Sequence, residues 1–239
     1  SMLNHQAPLP PDREADGTVR VHSIFFTIQG EGPFAGMPAY FVRLYGCNLQ
    51  CPFCDTDYTS ARDEMTVTAV LAALVEMGGN VNTLVVITGG EPFRQNITPL
   101  CRELVNRGFL VQIESNGVLY PGDDFPWDYV TVVVSPKTGK IHPDTANQAH
   151  AYKYVISHDS VHPDGLPGTA LGHTTGRFST GARPPEGWVG PVYINPMDAQ
   201  DEKANKRNLQ AAVDSVMKHR NDLQVRLLGV QMHKLIGLP

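Results

Sequence analysis

Cysteine is scarce in this chain and unevenly placed. Only four cysteines occur among 239 residues, and Cys47, Cys51 and Cys54 fall within one short stretch. A secreted domain that is stapled by disulfides spreads its cysteines along the chain, so the sequence argues against this class of protein. The fourth, Cys101, lies among apolar residues of a predicted helix, where we expect it simply to be buried.

Long apolar runs and a strong excess of one charge are also missing. No apolar run approaches the roughly 18 residues of a transmembrane helix, and the N-terminus has no apolar signal core. The formal net charge is −5, which excludes a field that attracts nucleic acid or an anionic membrane over the whole surface. We therefore expect a cytoplasmic protein that has neither nucleic acid nor a membrane as a partner.

The rest of the chain alternates between strand and helix patterns. Runs of apolar and β-branched residues predict strands over residues 19–28, 39–45, 83–88, 109–114, 129–134, 152–157, 192–195 and 223–228. Helical spacing of apolar residues and capping signals predict helices over residues 66–77, 97–107 and 201–219. Since strands that alternate with helices form parallel sheets, we expect an α/β fold whose mostly parallel sheet is curved or partly closed as a barrel.

One domain is expected over most of the chain. Residues 1–18 are polar and rich in proline, which predicts a flexible N-terminal extension. Glycine, proline and threonine are frequent in residues 158–191, so we predict a long irregular insertion there. Residues 19–239 show no repeat of fixed period and no sharp internal boundary, and we expect them to form a single domain.

The three clustered cysteines follow the spacing C-x3-C-x2-C. Three thiolates on one loop can hold three irons of a cubane cluster and leave the fourth iron for a small molecule. A zinc site is the main alternative. Zinc in structural sites takes four nitrogen or sulfur ligands, and no second C-x-x-C or histidine pair lies nearby. The spacing therefore favours an iron–sulfur cluster.

This spacing also resembles the radical S-adenosylmethionine (SAM) superfamily, as do Phe53 beside the third cysteine and the run Gly89-Gly90-Glu91-Pro92 after a buried strand. Further segments resemble the 7-carboxy-7-deazaguanine synthase family. They are residues 27–32 (TIQGEG), 41–49 (FVRLYGCNL), 54–56 (CDT), 88–92 (TGGEP), 135–137 (SPK) and 233–239 (HKLIGLP). The resemblance runs from residue 25 to residue 239 and leaves the N-terminal segment and residues 158–191 without a recognised motif.

The resemblance implies a partial, open (β/α) barrel of the radical SAM type with a reduced set of helices. It implies a lyase that converts 6-carboxy-5,6,7,8-tetrahydropterin into 7-carboxy-7-deazaguanine with release of ammonia, on the route to queuosine and related 7-deazapurines. The cofactors would be a 4Fe-4S cluster, SAM used catalytically, and Mg2+. The partners would be the pterin substrate, a flavodoxin- or ferredoxin-type reductant, and a second copy of the chain in a homodimer.

The resemblance also implies roles for individual residues, and no side chain is expected to be the catalyst because the radical comes from SAM. The cluster would be held by Cys47, Cys51 and Cys54, and Mg2+ by Thr56. SAM would be bound by Phe53, Asp55, Gly90, Glu91, Ser115, Ser135, Lys137, Asn195 and Pro196. The substrate would be bound by Ile28, Gln29, Gly30, Glu31, Arg43, Thr88 and Pro239.

Some of these roles also have a basis in the residues themselves. Arg43 lies in a strand where packing alone would favour a neutral residue, and a guanidinium fork suits a substrate carboxylate. Gly90 would let the main chain approach the methionine part of SAM closely. The apolar residues Leu235, Ile236 and Leu238 would pin the C-terminal segment, and the resemblance implies that Pro239 then brings its carboxylate to the pterin.

Two other functions share part of this pattern. An activase that installs a glycyl radical on a partner protein would share the cluster and the SAM segments, but it would have no use for Gln29, Arg43 and the C-terminal segment. A non-catalytic zinc or iron–sulfur protein would need neither the Gly-Gly-Glu-Pro nor the Ser-Pro-Lys segment.

Overall fold

In the computed structural model, one nine-stranded sheet organises the described residues, which are 3–13, 17–52, 54–168 and 180–239. The strands are β1 (Thr18–Ile28), β2 (Pro38–Leu44), β3 (Asp63–Thr66), β4 (Leu84–Gly89), β5 (Leu110–Ser115), β6 (Val130–Val134), β7 (Ala151–Ile156), β8 (Pro191–Pro196) and β9 (Val225–Leu228). Their order is β3-β1-β2-β4-β5-β6-β7-β8-β9. β1 pairs antiparallel with β2 and with β3. In the order of the sheet, each neighbouring pair from β2–β4 to β8–β9 is parallel.

The helices are α1 (Val67–Glu76), α2 (Thr98–Asn106), α3 (Pro143–Gln148), α4 (Glu202–Lys218) and α5 (Met232–Leu235). Side-chain oxygen atoms cap two of them, α1 and α4. The Thr66 hydroxyl accepts a hydrogen bond from the N–H of Ala69, and the Asp201 carboxylate accepts one from the N–H of Ala204. Both caps satisfy donors of the first turn that have no partner inside the helix.

The sheet has two chemically different faces. One face packs against α1, α2 and α4 and forms the apolar core, to which Val42, Ile87 and Ile194 contribute. Because successive side chains of a strand point to opposite sides, the residues between these core positions lie on the other face, which we call the inner face. Near the carboxyl ends of the strands the inner face is polar. It carries Arg43, Thr88, Gln112, Glu114, Lys153 and Asn195.

The predicted α/β fold with a mostly parallel open sheet is confirmed. The set of helices is reduced, since the connections β5–β6 and β7–β8 contain no α-helix in their described residues. β3, α3 and α5 were not predicted. β3 is exposed and polar, and it pairs with β1 through its main chain, so it has no apolar alternation that a sequence pattern could reveal. Within the described ranges, every helix is too short or too polar to span a bilayer.

The N-terminal segment contacts the domain through its main chain. Residues 3–13 lie against the domain instead of standing free of it. The N–H of Leu9 donates to the carbonyl of Cys47 at 2.8 Å, and that of Asp12 donates to the carbonyl of Arg94 at 2.7 Å. These contacts place residues 3–13 on the surface of the domain, and the flexibility of residues 1–18 stays a prediction. The other parts of 1–18 that were predicted flexible include residues 1, 2 and 14–16, which lie outside the described residues.

The stretch 158–191 is irregular in its described part, which excludes residues 169–179. It contains one isolated bridge, between Val161 and Pro167. Arg183 anchors it by donating to both carboxylate oxygens of Asp164, at 2.8 and 3.2 Å. Its status as an insertion stays a prediction.

Candidate functional site

The three clustered cysteines lie on the loop that follows β2, at the carboxyl end of that strand. We call residues 47–56 the cysteine loop. All three thiols are free and partly exposed, and the N–H of Cys54 donates to the carbonyl of Cys51 at 3.2 Å. Burial raises the pKa of Cys47 to about 12, and the nearby Cys51 and Cys54 add to this increase. The thiolates therefore repel one another, and bound cations would offset that repulsion.

The arrangement of the thiols fits a cluster better than a single ion. Among the described residues, no three His, Cys, Asp or Glu side chains converge as they would around one metal ion. Zinc holds its ligands at about 2.0–2.3 Å from a common centre, whereas a cubane cluster takes each thiolate on a different iron. Lys137 lies near Cys51 and favours its thiolate, although burial raises the pKa of that thiol overall.

The Gly-Gly-Glu-Pro segment follows β4 and lies directly against the first cysteine. A Cβ atom on Gly90 would be 1.8 Å from the carbonyl oxygen of Gly46 and 3.1 Å from the nitrogen of Cys47. The N–H of Glu91 donates to the same carbonyl of Gly46 at 3.0 Å. Only glycine fits at position 90, because the main chain of Gly46 and Cys47, where the cysteine loop begins, approaches this position so closely.

The carboxylate of Glu91 is fully buried and ties this segment to the end of β5. It accepts hydrogen bonds from the N–H of Phe93 at 2.8 Å, the hydroxyl of Ser115 at 2.9 Å and the N–H of Asn116 at 2.7 Å. Burial raises the pKa of Glu91 to about 7 even though these donors favour the ionised form. Glu91 and Ser115, both expected to bind SAM, thus already hold each other within the chain.

Other residues expected to bind SAM lie at the carboxyl ends of β6 and β8. Lys137 donates to the hydroxyl of Ser135 at 2.8 Å. Asn195 is buried. A Cβ atom on Gly229 would be 1.8 Å from Oδ1 of Asn195, so the amide can occupy this space because residue 229 is glycine. Pro196 ends β8. Asp55 is exposed, 3.3 Å from the ammonium of Lys234, and Phe53 lies outside the described residues.

Arg43 lies on the inner face beside Thr88, its partner in the register of β2 and β4. Its guanidinium is 5.0 Å from the centre of the Phe25 ring. The Nε atom of Arg43 is buried and has no hydrogen-bond partner in the part of the chain that the structure describes. The hydroxyl of Thr88 lies 3.5 Å from the carboxylate of Glu114. Arg43 therefore offers a donor that is ready for a ligand.

Glu31 is held by two residues from distant strands. The ammonium of Lys153 lies 2.6 Å from one oxygen of Glu31 and 4.0 Å from Glu114. The amide of Asn195 donates to the other oxygen of Glu31 at 3.2 Å. Burial opposes the ionisation of Glu31, but Lys153, with smaller contributions from Gln231 and His233, lowers the pKa of Glu31 to about 2. Glu31 is thus a buried carboxylate that stays charged.

Gln29 joins the same network through its side-chain amide. It donates to Gln112 at 2.9 Å and to Glu114 at 3.1 Å. Gln112, Glu114 and Lys153 were not predicted as site residues. Each is a polar residue at an inner-face position of an otherwise apolar strand, and this period-two interruption is the sequence signal that could have identified them.

The C-terminal residues lie beside β1 and the Gln29 loop. The hydroxyl of Thr27 donates to an oxygen of Pro239 at 3.1 Å. A Cβ atom on Gly30 would be 2.0 Å from Nδ1 of His233, so these two residues are in direct contact. Ile28, the last residue of β1, lies between Thr27 and Gln29. We expected Leu235, Ile236 and Leu238 to anchor this segment by packing, but they are exposed, so that expectation is wrong. The hydrogen bond from Thr27 to Pro239 and the contact between Gly30 and His233 hold the segment instead.

Three buried polar atoms of the inner face have no partner among the described residues. They are Nε of Arg43, Nε2 of Gln112 and Oδ1 of Asn195. A buried polar atom without a hydrogen bond is unfavourable by about 1–3 kcal/mol. The inner face is therefore built to receive a polar ligand, next to a loop that can hold an iron–sulfur cluster.

Comparisons with known proteins agree with this geometry. Residues 41–126 match the Radical SAM superfamily. The chain is 39% identical over 240 residues to 7-carboxy-7-deazaguanine synthase of Rhodospirillum rubrum, covering 98% of this chain and 97% of the relative. It is 37% identical over 233 residues to the synthase of Rickettsia prowazekii, covering 93% and 90%.

A solved structure shows the same fold. The crystal structure of QueE from Escherichia coli has a TM-score of 0.64 and 22% identity to this chain, covering 92% of this chain and 96% of that one. The synthase of Caulobacter vibrioides is 35% identical over 240 residues, covering 93% of this chain and 100% of the relative. Because such relatives match nearly the whole chain, it belongs to the 7-carboxy-7-deazaguanine synthase family and is a radical SAM enzyme, a lyase with a 4Fe-4S cluster and SAM as cofactors.

Proposed function

We propose that this chain converts 6-carboxy-5,6,7,8-tetrahydropterin into 7-carboxy-7-deazaguanine with release of ammonia, in the biosynthesis of queuosine and related 7-deazapurines. The unpartnered Nε of Arg43 on the inner face carries this proposal. A guanidinium there is suited to the substrate carboxylate. Across the sheet from Arg43, the carboxylates of Glu31 and Glu114 are suited to the guanidine-like N–H edge of the pterin.

The residues proposed for the substrate are Ile28, Gln29, Gly30, Glu31, Arg43, Thr88 and Pro239. The network around Glu31 and Glu114 supports this set, because it fixes the carboxylates before a substrate arrives. Fixed acceptors lose little conformational entropy on binding. Thr27 holds Pro239 against β1, which supports a contact between Pro239 and the substrate.

The residues proposed for SAM are Phe53, Asp55, Gly90, Glu91, Ser115, Ser135, Lys137, Asn195 and Pro196. Cys47, Cys51 and Cys54 would hold three irons of the cluster. When bound, the cluster and SAM supply the radical chemistry of the reaction. The contribution of the chain is orientation: Asn195 is bonded to Glu31 and so links the region proposed for SAM to the region proposed for the substrate.

We also assign Mg2+ to Thr56. Burial lowers the pKa of Arg43, and the opposing effects of Asp55 and Asp57 indicate that the end of the cysteine loop lies near this guanidinium. An ion held by Thr56 would therefore lie near the proposed carboxylate subsite. Mg2+ often takes few ligands from the protein and completes its coordination with water and substrate. A Thr56→Ala variant should need more Mg2+ for half-maximal turnover, and an unchanged Mg2+ titration would contradict the assignment.

The edge strand β9 supports the proposed homodimer. β9 ends the sheet, and Val225, Leu227 and Leu228 are exposed on it. An exposed apolar edge strand readily pairs with another chain. Replacing Val225 and Leu227 by lysine should shift the protein to a monomer in sedimentation velocity. A dimer that persists would contradict an interface at β9.

The remaining parts of the proposal concern the cell and the domain. Four free cysteines suit a reducing, cytoplasmic compartment, where a flavodoxin- or ferredoxin-type protein would supply electrons. Residues 19–239 are proposed to be one domain because the strands of the described residues belong to one sheet.

One assay tests the proposed reaction directly. The reconstituted protein is incubated without oxygen with dithionite, SAM, Mg2+ and the carboxytetrahydropterin, and the products are identified by mass. We expect 7-carboxy-7-deazaguanine and ammonia in equal amounts, without net consumption of SAM. Cleavage of SAM with no deazaguanine would contradict the proposed substrate while leaving the radical SAM chemistry intact.

A further inference from the structure

Residues 3–13, which we call the N-terminal strap, lie along the cysteine loop. We propose that the strap fixes the main chain of the cysteine loop and thereby slows the loss of the iron–sulfur cluster. The strap belongs to none of the sites assigned above, and its contacts reach the carbonyl groups of two of the three cysteines, Cys47 and Cys51.

Asn4 contacts the cysteine loop through both its main chain and its side chain. Its N–H donates to the carbonyl of Pro52 at 2.9 Å, and its side-chain amide donates to the carbonyl of Cys51 at 3.1 Å. In return, the side-chain amide of Gln50 donates to the carbonyl of Asn4 at 3.2 Å. The same amide of Asn4 lies 3.3 Å from the hydroxyl of Tyr58. Asn4 is therefore bonded to the middle of the loop through its N–H, its carbonyl group and its side-chain amide.

Gln6 holds the end of the cysteine loop with a single side-chain amide. Its Nε2 atom donates to the carbonyl of Thr56 at 2.9 Å. Its Oε1 atom accepts from the N–H of Tyr58 at 2.9 Å and from the hydroxyl of Thr59 at 2.9 Å. Gln6 also bonds to Asn4, whose Oδ1 accepts from the Gln6 amide at 3.0 Å. The two side chains thus act together.

Leu9 and Pro10 hold the start of the loop. The N–H of Leu9 donates to the carbonyl of Cys47 at 2.8 Å. The guanidinium of Arg94 donates to the carbonyl of Pro10 at 3.0 Å and to that of Tyr45 at 3.1 Å. The strap therefore meets the cysteine loop at its beginning, its middle and its end.

The loop needs such contacts because its described residues, 47–52 and 54–56, form no helix or strand. Its carbonyl groups require partners from elsewhere, and the strap supplies them. A loop that is already ordered loses less entropy when its three thiolates take up fixed positions around a cluster. Each net hydrogen bond changes an equilibrium constant by about 2- to 12-fold, so one bond from Asn4 and one from Gln6 together can change cluster retention by roughly 4- to 140-fold.

The test compares a double variant, Asn4→Ala with Gln6→Ala, with the unaltered protein. The matched control is His5→Ala, because His5 is exposed and lies between the two residues. All three proteins are reconstituted without oxygen. Iron and sulfide per chain are then measured, followed by the rate of iron release to a ferrous chelator, which needs no substrate and no turnover. We expect the double variant to release iron about tenfold faster and the control to behave as the unaltered protein.

The melting temperature of the cofactor-free chain separates loop order from global stability. We expect it to change by no more than about 4 °C, the shift expected for loss of about 1 kcal/mol from a chain of this size. Equal iron release from all three proteins would overturn the proposal. If the double variant does not fold, the single variant Gln6→Glu takes its place. Faster iron release than from the unaltered protein supports the proposal, and equal release overturns it. Glutamate keeps the acceptor for Tyr58 and loses the donor to Thr56 and to Asn4.

Discussion

The side-chain amide of Asn195 donates a hydrogen bond of 3.2 Å to the carboxylate of Glu31. Asn195 is the next-to-last residue of β8, and Glu31 follows β1, so the contact joins strands from opposite parts of the sheet. One of these residues is proposed for SAM and the other for the substrate. The affinity of the enzyme for its two small molecules should therefore depend on a single hydrogen bond.

An Asn195→Ala variant tests this link. It removes the donor to Glu31 and the amide that occupies the space beside Gly229. We expect the KM values for SAM and for the pterin each to increase by about tenfold, since hydrogen bonds to charged groups contribute about 1.5–3 kcal/mol. Asn147→Ala, at an exposed position of α3, is the control and should leave both values unchanged. An increase in only one KM would show that the contact does not connect the two regions.

Lys153 determines how Glu31 responds to pH. Burial opposes the charge of Glu31, but Lys153 lowers its pKa from 4.5 to about 2. Because the pKa of the folded state is lowered, Glu31 contributes stability above pH 4.5 and loses it as the pH falls through about 2. In a Lys153→Met variant burial is opposed only by the smaller effects of Gln231 and His233, and the pKa of Glu31 should rise.

The expected result is a new pH dependence of substrate binding. In the unaltered enzyme Glu31 stays ionised, and its charge adds no pH dependence to KM for the pterin between pH 5 and 8. In Lys153→Met, this KM should increase as the pH falls over that range, while KM for SAM keeps its own profile. Lys206→Met removes an exposed ion pair with Glu202 and serves as the control. Parallel profiles for the variant and the unaltered enzyme would contradict this role of Lys153.

Gly90 is the position where a single methyl group should have the largest effect on the site. Its Cβ atom would be 1.8 Å from the carbonyl of Gly46, and main-chain atoms cannot move away as a side chain can. We expect Gly90→Ala to displace the cysteine loop, to lower iron per chain after reconstitution to less than about half, and to destabilise the protein by about 1–3 kcal/mol. Gly181→Ala, where the nearest atom is a side-chain nitrogen at 3.9 Å, should change neither iron content nor stability.

Most strands and helices could be predicted because apolar periodicity records which face is buried. The strand expected over residues 83–88 is β4 (Leu84–Gly89), and the helix expected over residues 201–219 is α4 (Glu202–Lys218). The contacts of the N-terminal strap could not be predicted in this way. The partners of Asn4 and Leu9 are mainly carbonyl groups of a loop, and every residue type carries a carbonyl group, so no sequence pattern records them.

The candidate site was predicted unevenly for a similar reason. Motif residues such as Gly90 and Arg43 could be found because the resemblance covers them. Lys153 and Glu114 are visible in the sequence as polar residues in apolar strands, but the approach of Lys153 to Glu31 and to Glu114 depends on the parallel register of β5 to β8. The sequence shows that they are polar, and only the order of the strands shows that they meet.

Arg43 offers the sharpest test of the substrate itself. Its buried Nε has no partner among the described residues, and a planar fork can bind both oxygens of a carboxylate, which an ammonium cannot. We expect Arg43→Lys to keep the charge but to raise KM for the carboxypterin by at least about tenfold, with KM for SAM unchanged. Arg62→Lys, on an exposed ion pair with Glu64, is the matched control. If a pterin without the carboxylate binds the unaltered enzyme as well as the carboxypterin does, then Arg43 does not recognise that group.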